Sequence, residues 1–372
     1  MNEGVPNPNI PTMGVDDVVE ALFNMYYGAA TGHGSFRDLP SVMLWGPPGV
    51  GKSQGVRQIG DRIATATGKR VNVTDIRLLL YSPNDLLGLP VASDDKSRVI
   101  WLRPEVLSMD PSDDVVNVLL LDEISAAPPI VQAAAYQITL DRACGEHRLP
   151  ENCLVIAAGN RLSDRSTTYR MPKALANRLL HIEVEPDFAS WRRWAVGAGV
   201  SDKIIAYLAF RPDRLMAFDA TLDDHAFASP RSWAMASNIL NGIKGDIETV
   251  FPLICGLVGT GAASEFRAWT RVYHQLPDVE NIFAGKERHV PQKADALYAL
   301  VSAISAHARY YLYNPTAIEH SIKYAQRLPP DFSVMLLKDY LNLAPDCRET
   351  LMRIPRFSRW VGEMGGLLNG SF

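Results

Sequence analysis

The chain has 372 residues, 47% hydrophobic and 21% charged, with a formal net charge of −4. That balance is ordinary for a soluble globular protein that can bury a real core, and the length leaves room for two domains, or one domain with a substantial appendage. A pI near 6.1 argues against a protein built around nucleic acid, which would carry a basic domain.

The stretch 1–14 is rich in Pro and Asn and lacks a basic start followed by an apolar core, so no leader peptide is expected. A helix is expected over 15–27. The apolar run Val42, Met43, Leu44, Trp45 predicts a buried strand, and a second helix follows over 52–67. Further apolar runs bounded by turn residues fall at 70–76, 115–121, 153–158 and 179–184, with helical patterns at 129–140 and 172–179. Strands that alternate with helices and read as continuous apolar runs predict a parallel sheet covered on both faces. The expectation is a five-stranded α/β domain over residues 1–188.

Beyond Pro186 the pattern turns helical, with helices expected at 191–198, 202–210, 232–240, 247–258, 293–311 and 318–327. Pro and Gly breaks delimit them without a low-complexity linker. We read a helical lid over 189–250 and a helical C-terminal extension over 251–372. No apolar run reaches the roughly eighteen residues that a membrane span needs. Cys144, Cys153, Cys255 and Cys347 show no C-x-x-C spacing, so neither a zinc site nor a disulfide framework is indicated, and a reducing cytoplasm is the expected home.

Chemistry enters right after the first strand. Gly46, Pro47, Pro48, Gly49, Val50, Gly51, Lys52 and Ser53 complete the pattern G-x-x-x-x-G-K-[ST]. Glycines let successive backbone N–H groups turn toward a phosphate, and the following helix adds the positive end of its dipole. Lys52 would reach the β- and γ-phosphates of ATP, and the Ser53 hydroxyl would ligate Mg²⁺.

The third run ends in Asp122 and Glu123, at the strand end that faces the nucleotide crevice of an open α/β sheet. Asp122 is the second expected Mg²⁺ group, and Glu123 the base that orients and deprotonates the attacking water. The fourth run ends in Gly159, Asn160 and Arg161. Asn160 brings a neutral amide able to hydrogen-bond both the γ-phosphate and the lytic water. Ser229 and Pro230 mark a helix start, which puts Arg231 in its first turn, free to reach a phosphate.

In order, GPPGVGKS, LLLDEIS, AAGN, ANRLL and ASPRS resemble the motifs of AAA+ ATPases, and within them those of the MoxR family. The segment from Ser82 to Gly88 is similar to the opening of that family's insertion in the second helix, which would run to about Pro104. Arg142 to Pro150 is similar to its short insertion before the sensor strand. The resemblance covers about residues 35–240 and implies an ATP-hydrolysing ring, usually a hexamer, each site completed by an arginine from the neighbouring subunit. Ala176-Asn177-Arg178 matches the family position for that arginine, although the family commonly has Asp-Arg-Phe where this chain has Asn177-Arg178-Leu179. Arg161, Arg165 and Arg170 compete for the role. The resemblance further implies chaperone-like activation of a protein partner carrying a von Willebrand A domain, with the two insertions as working surfaces and Trp101 in the first of them.

Three alternatives stand beside this reading. A nucleic-acid motor or loader would use Arg353, Arg356, Arg359 and Trp360, whose spacing of three could form a basic helical face. A motor subunit of a metal-chelatase complex would share the ring and the partner type. A nucleotide-gated scaffold would bind ATP without turnover, which the presence of Glu123 opposes. Adenine contacts are expected from residues 13–15 and from the lid.

Overall fold

The computed structural model describes residues 10–164, 169, 171–219, 221, 224–242, 247–273, 276–343 and 345–364. It divides into two compact units, one within Met1–Pro186 and Asp219–Asp223, the other within Asp187–Phe218 and Asp224–Phe372.

In chain order the first unit contains β1 (Thr12–Met13), α1 (Val15–Ala30), β2 (Val42–Trp45), α2 (Lys52–Thr67), β3 (Arg70–Arg77), α3 (Pro83–Leu87), β4 (Leu89–Ala92), β5 (Val99–Leu102), β6 (Val115–Asp122), α4 (Pro129–Asp141), β7 (Ala143–Cys144), β8 (His147–Arg148), β9 (Cys153–Gly159), α5 (Lys173–Ala176) and β10 (Leu180–Val184). The main sheet runs β1-β10-β2-β9-β6-β3, all neighbours parallel. It has six strands rather than the expected five. The extra one, β1, is two residues long and has no apolar run to announce it; it joins the edge through backbone bonds such as Glu185 N–H to Met13 O at 3.0 Å.

Every residue of β9, and every residue of β6 before Asp122, is buried. Successive side chains alternate between faces. Val118 and Leu120 pack with Leu22, Ile59 and Ile63 of α1 and α2, while Leu119 and Leu121 pack with Val131, Ala135 and Ile138 of α4. Fully burying one such side chain is worth about 1.5–3 kcal/mol, so the two-sided core holds the strand ends in fixed register. The insertion after β3 forms α3 and the antiparallel hairpin β4–β5; the one before β9 forms the hairpin β7–β8. Arg103 donates to the Arg148 carbonyl at 3.1 Å, joining the two insertions. The fourth expected helix is shorter than its pattern, 173–176 rather than 172–179, because the chain must turn to enter β10.

The second unit holds α6 (Phe188–Ala198), α7 (Asp202–Phe210), α8 (Pro230–Gly242), α9 (Ile247–Val258), α10 (Thr260–Tyr273), α11 (Val279–Phe283), α12 (Ala294–Ala308), α13 (Pro315–Ala325), α14 (Pro330–Leu341), α15 (Pro345–Met352) and α16 (Pro355–Met364). The extra helices beyond the sequence pattern include α14, α15 and α16, each opening on a proline. There proline starts a helix instead of breaking one, since its missing N–H would be unpaired in a first turn anyway. One continuous apolar cluster includes Tyr207, Trp233, Phe266 and Trp269, with ring centroids of Tyr207 5.4–6.0 Å from the other three. Trp360 lies in that cluster, fully buried, so the aromatic element of a nucleic-acid face is turned into the core. Among the described residues no helix is long and apolar enough to cross a membrane.

Candidate nucleotide site

The phosphate loop begins where β2 stops. Gly46 has φ 152°, and a Cβ there would lie 2.5 Å from the Val184 carbonyl oxygen. No side chain fits, so glycine is demanded by the close approach of β10. Gly51, also left-handed, is the N-cap of α2, whose first N–H groups and dipole therefore open onto the loop. Val15, at the start of α1, stands beside Gly51, which brings the segment expected near adenine to the loop's flank.

Lys52 Nζ donates to the carbonyls of Gly46 at 2.7 Å and Pro47 at 3.1 Å, and to Asn160 Oδ1 at 3.1 Å. The loop lysine and the amide after β9 are thus in direct contact, although 108 residues apart in sequence. Ser53 Oγ donates to Asp122 Oδ2 at 2.6 Å, and Asp122 Oδ1 accepts the Glu123 N–H at 2.9 Å. A hydroxyl and a carboxylate side by side fit Mg²⁺, a hard cation that binds through one or two protein oxygens and keeps waters. Among the described residues no group of three or more His, Cys, Asp or Glu forms an all-protein metal cage. When bound at Ser53 and Asp122, Mg²⁺ would neutralise charge on the β- and γ-phosphates.

Glu123 has φ 58°, a left-handed conformation that costs a non-glycine residue about 1 kcal/mol or more. Strain of this kind persists where the surroundings over-determine it. Here the Asp122–Glu123 hydrogen bond and the Ile124 N–H to Ala158 O bond, 3.0 Å, hold the turn. The Glu123 carboxylate makes no hydrogen bond or ion pair among the described residues and is only part-buried. Asp75, on β3, is pushed above the usual carboxylate range by burial and then by the charge of Asp122, with Arg57 and Arg77 pulling the other way.

Asn160 is set by a residue that sequence reasoning did not single out. Ser125 Oγ accepts the Asn160 N–H at 3.0 Å, and a Cβ on Gly159 would lie 2.7 Å from that same oxygen. Glycine before Asn160 is what lets Ser125 close in. Ser125 stood inside the DEIS motif, but its role depends on β6 and β9 being neighbours. Arg161 bonds Glu183 at 2.7 Å and Asp164 at 2.9 Å, both carboxylates buried. Its guanidinium is thereby committed within its own chain.

Residues 41–181 match the family model described as the ATPase family associated with various cellular activities (AAA). They form an AAA ATPase domain. The AAA domain is an ATP hydrolase, and its parallel sheet with helices on both faces is the P-loop fold expected from the sequence. No curated protein matches the chain. Among solved structures, a mutant of Thermotoga maritima RuvB is 16% identical with a TM-score of 0.37, over 82% of this chain and 90% of that one. A chain of the Escherichia coli MS115-1 HORMA:CdnC:Trip13 complex is 16% identical with a TM-score of 0.37, over 69% of this chain and 88% of that one. Caenorhabditis elegans PCH-2 is 14% identical with a TM-score of 0.35, over 68% and 67%. Each is a distant likeness.

The other predicted site residues lie as follows. Within the AAA domain, Arg178 sits in the turn between α5 and β10, exposed, with no hydrogen bond or ion pair among the described residues. Arg165 and Arg170 lie outside the described residues. Arg231 occupies the first turn of α8 in the second unit, exposed, where Ser229 Oγ accepts the Ser232 N–H at 3.1 Å and Pro230 is the first helical residue. Trp101, on β5, is part-buried.

Proposed function

We propose that this chain is a Mg²⁺-dependent ATPase of the MoxR type that assembles into a ring, hexameric by resemblance, and remodels or activates a protein partner carrying a von Willebrand A domain. The observation that carries the reading is the contrast between two arginines of the α/β unit. Arg161 is held by two buried carboxylates of its own subunit, while Arg178 is exposed and unpaired among the described residues. An arginine meant for a neighbour's γ-phosphate must be available at the surface, and fingers supplied this way are worth roughly 10³–10⁵ in rate. Within one subunit, Lys52 binds phosphate charge, Asn160 orients the γ-phosphate and water, and Glu123 takes the water's proton. Arg231, in the lid over 189–250, senses the nucleotide, and residues 251–372 extend that lid.

The β4–β5 hairpin exposes Leu89, Val99, Ile100 and Leu102. A cluster of exposed apolar side chains on one hairpin supports a protein-contacting surface, which suits the partner-remodelling role better than a nucleic-acid motor.

The test is mass determination of the Glu123→Gln variant with and without Mg²⁺-ATP. A nucleotide-dependent shift to about six copies is the expected result, by resemblance to the family. A monomer under all conditions would remove Arg178 from catalysis and the ring from the proposal.

A further inference from the structure

On β10, His181 has both ring nitrogens engaged. Trp45, the last residue of β2, donates its indole N–H to His181 Nδ1 at 2.9 Å, and His181 Nε2 meets the Ala176 carbonyl oxygen at 2.7 Å. An indole nitrogen can only donate and a backbone carbonyl can only accept, so the pair of partners fixes the ring's state: Nδ1 bare, Nε2 protonated, imidazole neutral. The two rings lie nearly parallel, 14° apart, with centroids separated by 6.1 Å.

What this joins matters more than the bonds themselves. Trp45 directly precedes Gly46, the first residue of the phosphate loop. Ala176 is the last residue of α5, and Arg178 follows two residues later. A chain of indole, imidazole and carbonyl therefore runs from the mouth of the loop to the turn that presents Arg178. On the same face of β10, two residues along, Glu183 grips Arg161, which follows Asn160. One strand face thus braces the loop entrance, the sensor segment and the arginine turn together.

We propose that His181 is a positioning residue that ties the Arg178 turn to the entrance of the phosphate loop, so that the arginine offered to the neighbouring subunit follows the state of its own subunit's loop. The proposal rests on the reading of Arg178 as the arginine acting in the neighbour's site. Misplacing a catalytic group by about 1 Å can cost up to about a hundredfold in rate without disturbing ground-state binding. The His181 ring bonds Trp45 and Ala176 rather than a residue of the phosphate loop, so its loss acts on turnover through Arg178.

The experiment compares steady-state ATP turnover and nucleotide affinity of the full chain with those of His181→Leu, His181→Gln, Trp45→Phe, Arg178→Ala and the double variant His181→Leu/Arg178→Ala. For His181→Leu a fall in kcat of about tenfold or more is expected, with nucleotide Kd changed by less than about twofold. The amide of His181→Gln can both accept from Trp45 and donate to Ala176, and should restore much of the loss. Trp45→Phe keeps a stacked ring and removes only the donor, so it reports on the chain even if His181→Leu folds poorly. Because groups that act as a unit are not additive, the double variant should be no slower than Arg178→Ala alone. Imidazole ¹⁵N spectra should show bare Nδ1 and protonated Nε2 for His181, with the Nδ1 signal displaced in Trp45→Phe.

Losses that multiply in the double variant, an unchanged kcat in His181→Leu, or a defect confined to Kd would each overturn the proposal. Normal turnover in Arg178→Ala would instead sink the arginine reading, and this proposal with it. That result comes from a variant whose His181 is intact, so the two failures are told apart.

Discussion

The two units use buried and part-buried polar groups to opposite ends. In the α/β unit, Ser53, Asp122, Ser125 and Asn160 hydrogen-bond one another or the backbone of the phosphate site at the C-terminal edge of the sheet. In the helical unit, Arg192 on α6 and Asp339 on α14 form a two-pronged ion pair at 2.8 and 2.6 Å inside an apolar core. A parallel sheet collects the ends of its strands on one edge, so polar residues after apolar runs converge on a crevice. Helix packing has no such edge, and a buried charge there serves as a clamp.

The sharpest way to break this comparison is to remove chemistry from the first unit. Lys52→Ala should abolish turnover, a loss of about a thousandfold or more, because a fixed cation aimed at developing charge is lost. Glu123→Gln should also stop turnover, by about a hundredfold or more, yet retain ATP, since in the proposed role its carboxylate acts on water rather than on phosphate. Turnover assays beside binding by a fluorescent ATP analogue separate the two; hydrolysis surviving either change would refute the role given to that residue.

The matching test in the second unit should be felt as stability instead. Arg192→Ala leaves the Asp339 carboxylate buried without its cation, a change worth roughly 3–5 kcal/mol. Denaturant unfolding should show that loss, while nucleotide affinity measured well below the transition stays within about twofold. Replacing both partners, Arg192→Met with Asp339→Leu, should recover most of the stability, because an apolar pair of similar volume avoids desolvating charge. If nucleotide affinity collapsed while the fold survived, the pair would belong to the site and the contrast between the units would fail.

A subtler effect sits between chemistry and structure. Ser125→Ala removes the acceptor of the Asn160 N–H and leaves a part-buried donor unpaired, a cost of about 1 kcal/mol. Turnover should fall about tenfold with little change in ATP affinity. A KM defect without a kcat defect would show that Ser125 shapes the loop rather than the sensor.

How much of this was legible in the sequence follows from the same physics. Four of the expected strands start at the observed residue and end within one of it. β3, at the sheet edge and buried only at Ile76, does so from a looser pattern, whereas β2, β6 and β9 do so because buried strands read as unbroken apolar runs. The glycine loop, Asp122, Glu123 and Asn160 were legible since each follows such a run directly. Ser125, Trp45 and His181 were not, because their partners are set by which strands lie side by side: Trp45 pairs in register with Glu183 on one side and Gly159 on the other. In the helical unit, Pro329 and Pro330 read as a break from the pattern alone, yet Pro330 opens α14, and the helices opening on Pro345 and Pro355 were not expected. Trp360 misled for a related reason. Its arginine spacing suggested an exposed face, but the same helix turns Phe357 and Trp360 inward.

The smallest expected effect tests whether the first unit tolerates strain for the sake of its site. Asp75 carries a carboxyl oxygen that is buried without a hydrogen-bond partner, and it faces the charge of Asp122. Its pKa is raised, so between the ordinary carboxylate value and the folded value the native state holds the extra proton, and stability declines as pH rises through that window. The penalty is fully present at neutral pH and absent in acid, where the carboxyl is neutral in both states. Asp75→Asn should therefore raise Tm slightly at pH 7, by about 1 °C, and the gain should vanish as pH drops below the ordinary carboxylate range. In an Asp122→Asn background the repulsion is already gone, so the same change should gain less, as a thermal-melt double-mutant cycle would measure. A gain of equal size in both backgrounds would place the whole penalty in burial. The Arg57 ion pair at 2.7 Å is half-exposed on the arginine side and contributes little, so a fall in Tm at neutral pH would mean that this pair outweighs the repulsion and that the first unit carries no strain at Asp75.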